Sequence, residues 1–225
     1  MTNRERFTAV LNGKPADRLP VVEWASWWNE TFSEWQKQGL DEKWTADKLY
    51  DYYGLDTLVQ AWINHRMPGF PEPKEHGHEI MQDEHDYEHL KKMMFSEEYM
   101  HQCMQYFKSI KSQHEAGHFA LWYTIEGFFW FPRTLFGIEN HLYAFYDYPE
   151  LMHRINQDQT DYMLMFLEEM YKVVTPDFMT FAEDMSYNHG PMLSKDCYDE
   201  FIKPYYREII PFIKSKGTKV FIDTD

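Results

Sequence analysis

The sequence has little cysteine, with only Cys103 and Cys197 in 225 residues. A disulfide framework is therefore excluded, and a protein of the reducing cytoplasm is expected. The sequence also lacks the glycine-rich phosphate loops, the nucleophile elbow and the Cys-x-x-Cys pair. These absences argue against nucleotide binding through such loops, against α/β-hydrolase chemistry and against dithiol redox chemistry.

Positive charge is also scarce, because 22 basic residues stand against 37 acidic ones and give a formal net charge of -15. Coulomb repulsion disfavours nucleic acids and anionic membranes as partners. No apolar run approaches the roughly 20 residues of a membrane span, and the polar start MTNRERF predicts no signal peptide. We therefore expect a cytoplasmic protein whose main partner is a small-molecule substrate.

Hydrophobic residues are plentiful, at 44% of the chain, and aromatic residues reach 18%. This content predicts a sizeable core. The aromatic residues have two interpretations, a bulky core and an aromatic-lined pocket, and composition favours the first.

Strand and helix patterns alternate along the chain. Apolar runs predict strands over residues 19–24, 56–63, 118–123, 177–183 and 218–225, and amphipathic helices separate most of them. Residues 65–90 lose this periodicity and are interpreted as a long insertion or small hairpin. The alternation predicts an α/β fold with a parallel sheet, of the (β/α)₈ TIM-barrel type. Because a barrel has eight strands, we expect this chain to hold about the first five.

Acidic residues cluster at the predicted carboxyl ends of the strands, where α/β enzymes place their reactive groups. They are Glu23, Glu126, Glu183, Asp184, Asp223 and Asp225. Neighbouring carboxylates need a cation, or a proton on one of them, so the cluster predicts metal binding, binding of a cationic group, or acid–base chemistry. The alternative is that these acids cap the following helices.

Other candidate site residues lie beside the same ends. His65 follows the second strand, and Trp24, Tyr123 and Trp130 are candidate walls for a flat or cationic ligand. The His76-Gly77-His78 stretch fits no metal template well, and a solvated polar loop is the favoured interpretation.

Two stretches resemble the uroporphyrinogen decarboxylase superfamily. The first runs from Arg4-Glu5-Arg6-Phe7 through Asn12-Gly13-Lys14-Pro15 to Arg18-Leu19-Pro20-Val21. The second joins Gly190-Pro191-Met192-Leu193-Ser194 to Phe201 and Pro204-Tyr205-Tyr206. The resemblance covers the whole chain in order. It implies that residues 1–225 are one barrel domain whose last strands follow Asp225.

The superfamily includes the cofactor-free decarboxylase of haem synthesis, a tetrapyrrole-pathway lyase. In the resemblance, the arginine-bearing loop of that enzyme corresponds to a stretch from Trp24 to Asn29 without arginine. The place of its key aspartate holds Ile63 and Asn64, and its tyrosine falls near Arg133. The acidic residues at the carboxyl ends of the strands would also repel a substrate with many carboxylates. Porphyrinogen decarboxylation is therefore disfavoured.

The superfamily also includes zinc-dependent methyltransferases that work with methylated corrinoids or methyl thiols. Their His-x-Cys zinc ligands correspond here to Asp223 and Asp225, which implies a divalent-metal site built from oxygen ligands. Oxygen ligands shift the preference from zinc toward Mg²⁺ or Mn²⁺.

The leading hypothesis is a methyltransferase that moves a methyl group between a small methylated donor and a corrinoid or similar acceptor. Glu183, Asp184 and Glu23 are the candidate catalytic residues, with Arg133 and His65 as further substrate contacts. A corrinoid protein and a second copy of the chain, as a homodimer, are the candidate protein partners. The alternatives are a decarboxylase with a rearranged site and a non-catalytic barrel that binds a corrinoid or a partner protein.

Overall fold

A computed structural model describes residues 1–25, 27–41 and 43–224, with the backbone alone at residues 46 and 47. The chain divides into two compact units. The first contains residues 1–60 and 112–122, and the second contains residues 61–111 and 123–225. Within the described residues, no helix is both long and apolar enough to cross a membrane.

The α-helices, in chain order, are α1 (Asn3–Leu11), α2 (Asn29–Lys37), α3 (Ala46–Tyr53), α4 (Glu84–Leu90), α5 (Glu97–Glu115), α6 (Trp130–Phe136), α7 (Ile138–Asp147), α8 (Pro149–Val173), α9 (Lys195–Phe201) and α10 (Lys203–Ser215). The strands are β1 (Leu58–Ile63), β2 (Ala120–Glu126), β3 (Phe178–Ala182), β4 (Ser186–Tyr187), β5 (Gly190–Pro191) and β6 (Lys219–Asp223). A short 3₁₀ helix spans Lys91–Met93.

Four strands form a parallel sheet in the order β1-β2-β3-β6, flanked by helices. β2 and β3 are buried along almost their whole length, as the apolar runs of a parallel sheet predict. The α/β class with a parallel sheet is thus confirmed. β4 and β5 form a separate antiparallel pair of two residues each, which the sequence patterns did not predict.

The predicted first strand is wrong, because residues 19–24 lie outside the sheet. Asp56 binds both backbone groups of Val21: its carboxylate accepts from the Val21 N–H at 2.9 Å, and its own N–H donates to the Val21 carbonyl at 2.7 Å. Pro20 has no N–H to give to a strand neighbour. This segment is therefore held by the side chain and the backbone of one residue, Asp56, instead of by strand pairing.

The sequence pattern predicts one helix from Ser194 to about Lys216, but the structure has two helices there. The Ser194 hydroxyl caps α9 at the Cys197 N–H, and the chain breaks at Ile202 before α10 begins. Pro204 explains the break, because its ring displaces the carbonyl four residues earlier and contributes no N–H. At the other end of the chain, Thr2 and Glu5 form the predicted capping box of α1.

Residues 65–90 are more ordered than their sequence pattern suggests. Residues 84–90 form α4, and Asp83 caps it by accepting from the Asp86 N–H at 3.1 Å. The segment before α4 is held by backbone hydrogen bonds, since the N–H groups of Ile80 and Met81 both donate to the Leu135 carbonyl. The His76-Gly77-His78 stretch itself has no helix or strand and both histidines are exposed, as the interpretation of a solvated loop predicts, whereas α4 was not predicted.

Candidate functional site

The carboxyl ends of β3 and β6 bring three acidic residues together. The parallel register places Ala182 beside Asp223. The N–H groups of Glu183 and Asp184 then donate to the Asp223 carbonyl at 2.9 and 3.3 Å. The three acids line a pocket of about 220 Å³ together with Trp62, Trp130 and Ala182.

Glu183 is fully buried at the base of this pocket, and four donors surround its carboxylate. The backbone N–H groups of Phe128, Phe129 and Trp130 donate to it at 2.9, 2.9 and 3.0 Å. The Tyr206 hydroxyl donates to the same carboxylate. Because each oxygen accepts two hydrogen bonds, Glu183 joins the end of β3 to the loop that leads into α6.

Gly127 makes this arrangement possible. A Cβ at this position would overlap the carboxyl carbon of Glu183. The Gly127 N–H also donates to the Ala182 carbonyl at 2.8 Å, which holds the loop against β3. The glycine is therefore needed for the close approach of side chain to backbone.

Burial raises the pKa of Glu183 to about 7, although Tyr206 and the three backbone amides favour the ionised form. The folded protein therefore keeps a proton that the unfolded chain has lost above its ordinary carboxyl pKa of 4.5. By linkage, this group's contribution to stability falls as pH rises from about 4.5 to 7 and is constant above that.

We expect this proton to be visible in unfolding experiments. The wild-type protein should lose roughly 3 kcal/mol of unfolding free energy between about pH 4.5 and 8, relative to a Glu183→Gln variant that cannot titrate. Urea unfolding of both proteins across this range measures the difference. Parallel stability curves for the two proteins would contradict the raised pKa.

Asp184 and Arg133 form an ion pair at the rim of the pocket. Arg133 Nη1 lies 2.8 Å from Asp184 Oδ2, and its guanidinium stacks 4.8 Å from the centre of the Trp130 ring. Asp184 has a positive φ of 47°, a conformation that aspartate tolerates better than most residues. This strained turn places the Asp184 side chain against α6.

Asp223 differs from its two acidic neighbours. Within the described part of the chain its carboxylate has no hydrogen-bond or ion-pair partner, and the residue is exposed. Of the three carboxylates in this pocket, that of Asp223 is therefore the one available to bind a ligand. Asp225, the second predicted metal ligand, lies outside the described residues.

Of the two predicted metal ligands, Asp223 lines the pocket and Asp225 lies outside the described residues. No group of three His, Cys, Asp or Glu side chains suited to a metal occurs among them. Four donors already bind the Glu183 carboxyl group, and Asp184 is paired with Arg133.

The other predicted site residues lie elsewhere. Glu23 and Trp24 belong to the first unit, where Glu23 accepts from the Trp27 indole at 3.2 Å and Trp24 packs on Trp122 at 4.3 Å between ring centres. Tyr123 is fully buried in the second unit, with its hydroxyl 3.1 Å from that of Tyr171 on α8. Among the described residues, Tyr123 is not part of the pocket lining.

His65 is buried between Phe95 and Phe131. Burial holds its pKa well below the ordinary histidine value of 6.5, so the ring is neutral. Its Nε2 lies 3.6 Å from Glu126, whose carboxylate is paired with Arg66 at 2.8 Å.

Sequence reasoning missed two contributors to the pocket. Trp62 points away from the buried side of β1, and it is 58% exposed while its neighbours Ala61 and Ile63 are buried. No sequence pattern marks this exposure, because Ala61, Trp62 and Ile63 are all apolar. Tyr206 lies in the Pro204-Tyr205-Tyr206 segment that the resemblance singled out, but its contact with Glu183 depends on how α10 packs.

Comparison of the chain with models of protein families, with characterised proteins and with solved structures finds no match. The functional argument therefore depends on the pocket itself. Its distinguishing feature is the pairing of two tryptophans with carboxylates at the carboxyl end of a parallel sheet.

Proposed function

We propose that this protein is a (β/α)₈-type methyltransferase whose strand-end pocket binds a small, cationic methyl donor. The observation that carries the proposal is the placement of Trp62 and Trp130 in one pocket with Asp223 and Asp184. The residue patterns similar to the uroporphyrinogen decarboxylase superfamily support the barrel type and the class of reaction.

A methylated ammonium or sulfonium group matches this lining. Such a group has a positive charge but no N–H or S–H donor when fully methylated, so aromatic faces and nearby carboxylates recognise it instead of hydrogen bonds. Trp62 offers a largely exposed ring, and Asp223 offers an unpaired carboxylate. The overall charge of -15 also attracts a cation and repels a polyanionic porphyrinogen.

The size of the pocket separates the donor from the acceptor. A volume of about 220 Å³ lies below the range of roughly 300–1,000 Å³ typical of pockets for drug-sized ligands. A small donor fits such a space, whereas a corrinoid macrocycle does not. We therefore place the corrinoid or similar acceptor outside the pocket, presented at its mouth by a partner protein.

The residues of the chain have distinct roles in this proposal. Asp223 holds the cation, Trp62 and Trp130 enclose it, and Glu183 is a positioning residue that fixes the loop bearing Trp130. During transfer, the carbon–nitrogen or carbon–sulfur bond of the donor breaks, its electron pair stays on the leaving amine or thioether, and the methyl group passes to the nucleophilic acceptor. A departing thioether stays neutral, so the acidic aromatic pocket no longer favours it and release follows, whereas a departing amine is neutral only until it takes up a proton.

We expect the pocket to distinguish choline from its neutral isostere 3,3-dimethylbutan-1-ol. The cation–π and carboxylate contacts should make choline bind about 10-fold more tightly, and Trp62→Ala or Asp223→Asn should each weaken choline about 5- to 30-fold. Isothermal titration calorimetry measures these affinities. A tryptophan and an aspartate outside the pocket, replaced in Trp28→Ala and Asp161→Asn, are the matched controls.

Equal binding of choline and the neutral alcohol would overturn the assignment of a cation site. Equal effects of the pocket variants and the control variants would do the same. If choline binds as expected, loss of a methyl group from candidate donors, followed by proton NMR with an added cobalamin acceptor, tests the transfer step.

A further inference from the structure

A second pocket, separate from the strand-end pocket, lies between residues 66–80 and the junction of α6 with α7. Its volume is about 230 Å³, and Arg66, Phe70, His76, Trp130, Arg133 and Ile138 are among its lining residues. The wall is firmly attached, because the Ile138 N–H donates to the Gly77 carbonyl and the Ile80 N–H to the Leu135 carbonyl, both at 2.9 Å. A Cβ at Gly137 would lie 2.8 Å from the same Gly77 oxygen, so the two segments are in close contact.

Two arginines form the polar part of this pocket. The side chains of Arg66 and Arg133 are only 16% and 15% exposed. Arg66 donates from Nη1 to Glu126 at 3.0 Å and from Nη2 to Thr134 at 2.5 Å, while its guanidinium lies over the Phe131 ring at 5.3 Å. Arg133 uses Nη1 alone, toward Asp184.

Both guanidinium groups keep unused donors. The Nε–H of Arg66 and the Nε–H and Nη2 hydrogens of Arg133 have no hydrogen-bond partner among the described residues. The ion pairs with Glu126 and Asp184 hold each planar group in place. The arginines are therefore preorganised, with donors left over for a planar acceptor.

The charge around the pocket disfavours a multiply charged anion, and a monoanion would be held by the unused N–H donors of the two arginines instead of by net positive charge. Glu126 and Asp184 already neutralise the two arginines, and Glu72 adds a further carboxylate to the lining. A dianion such as phosphate would meet too little uncompensated positive charge. Beside His76, His78 and Thr134, the lining includes the apolar side chains of Phe70, Ile80 and Ile138, which match a hydrocarbon body.

We propose that this pocket binds a small monocarboxylic acid, with its carboxylate on Arg66 and Arg133 and its apolar body against Phe70 and Ile138. The inference stands on the residues of this pocket and does not depend on the proposed methyl transfer. Trp130 lines both pockets, so the acid would lie directly beside the cation site.

The test uses 3-methylbutanoate as the probe, its neutral isostere 3-methylbutanamide, and inorganic phosphate, each titrated calorimetrically into the full chain. The carboxylate is expected to bind at least about 10-fold more tightly than the amide and than phosphate. Ile138→Trp fills the pocket without removing an arginine, and it should weaken the carboxylate at least about 10-fold while leaving choline binding unchanged. Arg133→Gln should weaken it by a similar factor, and Arg154→Gln, which removes an arginine outside the pocket, should not.

Ile138 is a partly exposed residue at the start of α7, so its variant is expected to fold even if Arg133→Gln does not. The proposal is overturned if the carboxylate fails to bind, if the amide or phosphate binds as tightly, or if Ile138→Trp leaves its affinity unchanged. Choline titrations of the same samples report the strand-end pocket independently. A failure of the acid site is thus distinguishable from a failure of the proposed function.

Discussion

Replacement of Glu183 by leucine is expected to destabilise the protein by at least about 3 kcal/mol, because it leaves several buried donors without an acceptor. Three backbone N–H groups, at residues 128–130, and the Tyr206 hydroxyl all donate to this one carboxylate. A leucine side chain has a similar size but accepts none of these hydrogen bonds. The choline affinity should fall as well, since the loop that bears Trp130 loses its attachment to β3.

The matched variants are Glu183→Gln and Asp184→Asn. Glutamine keeps one accepting oxygen but turns an NH₂ group toward backbone N–H groups, so its unfolding free energy should lie between those of the wild type and the leucine variant. Asp184 is 29% exposed and makes one ion pair, so its replacement should have a small effect. Urea unfolding measures the free energy of unfolding of the leucine, glutamine and asparagine variants. A leucine variant as stable as Asp184→Asn would show that the carboxylate does not hold the loop.

The strand-end rule predicted from sequence that Glu183, Asp184 and Asp223 lie at strand ends, and the structure brings them into one pocket. The rule works because carboxyl ends of parallel strands share one edge of a sheet. It does not predict what each acid binds. The three amides that surround Glu183 come from loop conformation, and the sequence signal for that conformation is limited to Gly127.

Backbone hydrogen bonds explain why the contacts of residues 65–81 could not be predicted from the sequence. The contacts of Ile80 and Met81 with the Leu135 carbonyl involve no side chain, so they leave no periodic pattern in the sequence. The pocket that this segment forms with Arg66 and Arg133 was therefore invisible at that level. An arginine between apolar residues, as at Arg133 in α6, was the available hint.

The predicted strand at residues 19–24 failed for a different reason. The run Leu19-Pro20-Val21-Val22 has the composition of a strand, and local pattern does not reveal whether a neighbouring strand is available. In the structure, Leu19 and Val21 are 73% and 52% exposed, and the backbone of Val21 is bound by Asp56. A residue 35 positions away thus decides the conformation of this segment.

Asp56 is accordingly the residue of the first unit whose replacement we expect to cost most. It is 2% exposed and accepts from Arg6 Nη1 at 2.7 Å and from Arg18 Nη1 at 2.5 Å, besides the Val21 N–H. Burial alone would raise its pKa, but these hydrogen bonds and the two positive charges outweigh burial and hold the pKa below its ordinary value. The stabilisation is therefore present above the unfolded pKa of about 4 and lost as pH falls through the folded pKa.

Asp56→Asn is expected to lower the unfolding free energy by about 2–3 kcal/mol at pH 7. The figure is near the lower end for a broken buried ion pair, because Arg18 is 48% exposed and solvent screens part of its charge. An asparagine NH₂ would face arginine N–H groups, and Arg6, whose side chain is 8% exposed, would lose a buried counter-charge. Asp17→Asn is the matched control, since Asp17 binds the same Arg6 but has a side chain 41% exposed, and its effect should be clearly smaller. Urea unfolding at pH 7 and at a series of pH values below 4 measures both variants: the gap between Asp56→Asn and wild type should narrow only as pH falls through the lowered folded pKa of Asp56. Equal losses for the two variants at pH 7 would show that Asp56 does not organise the segment around Val21.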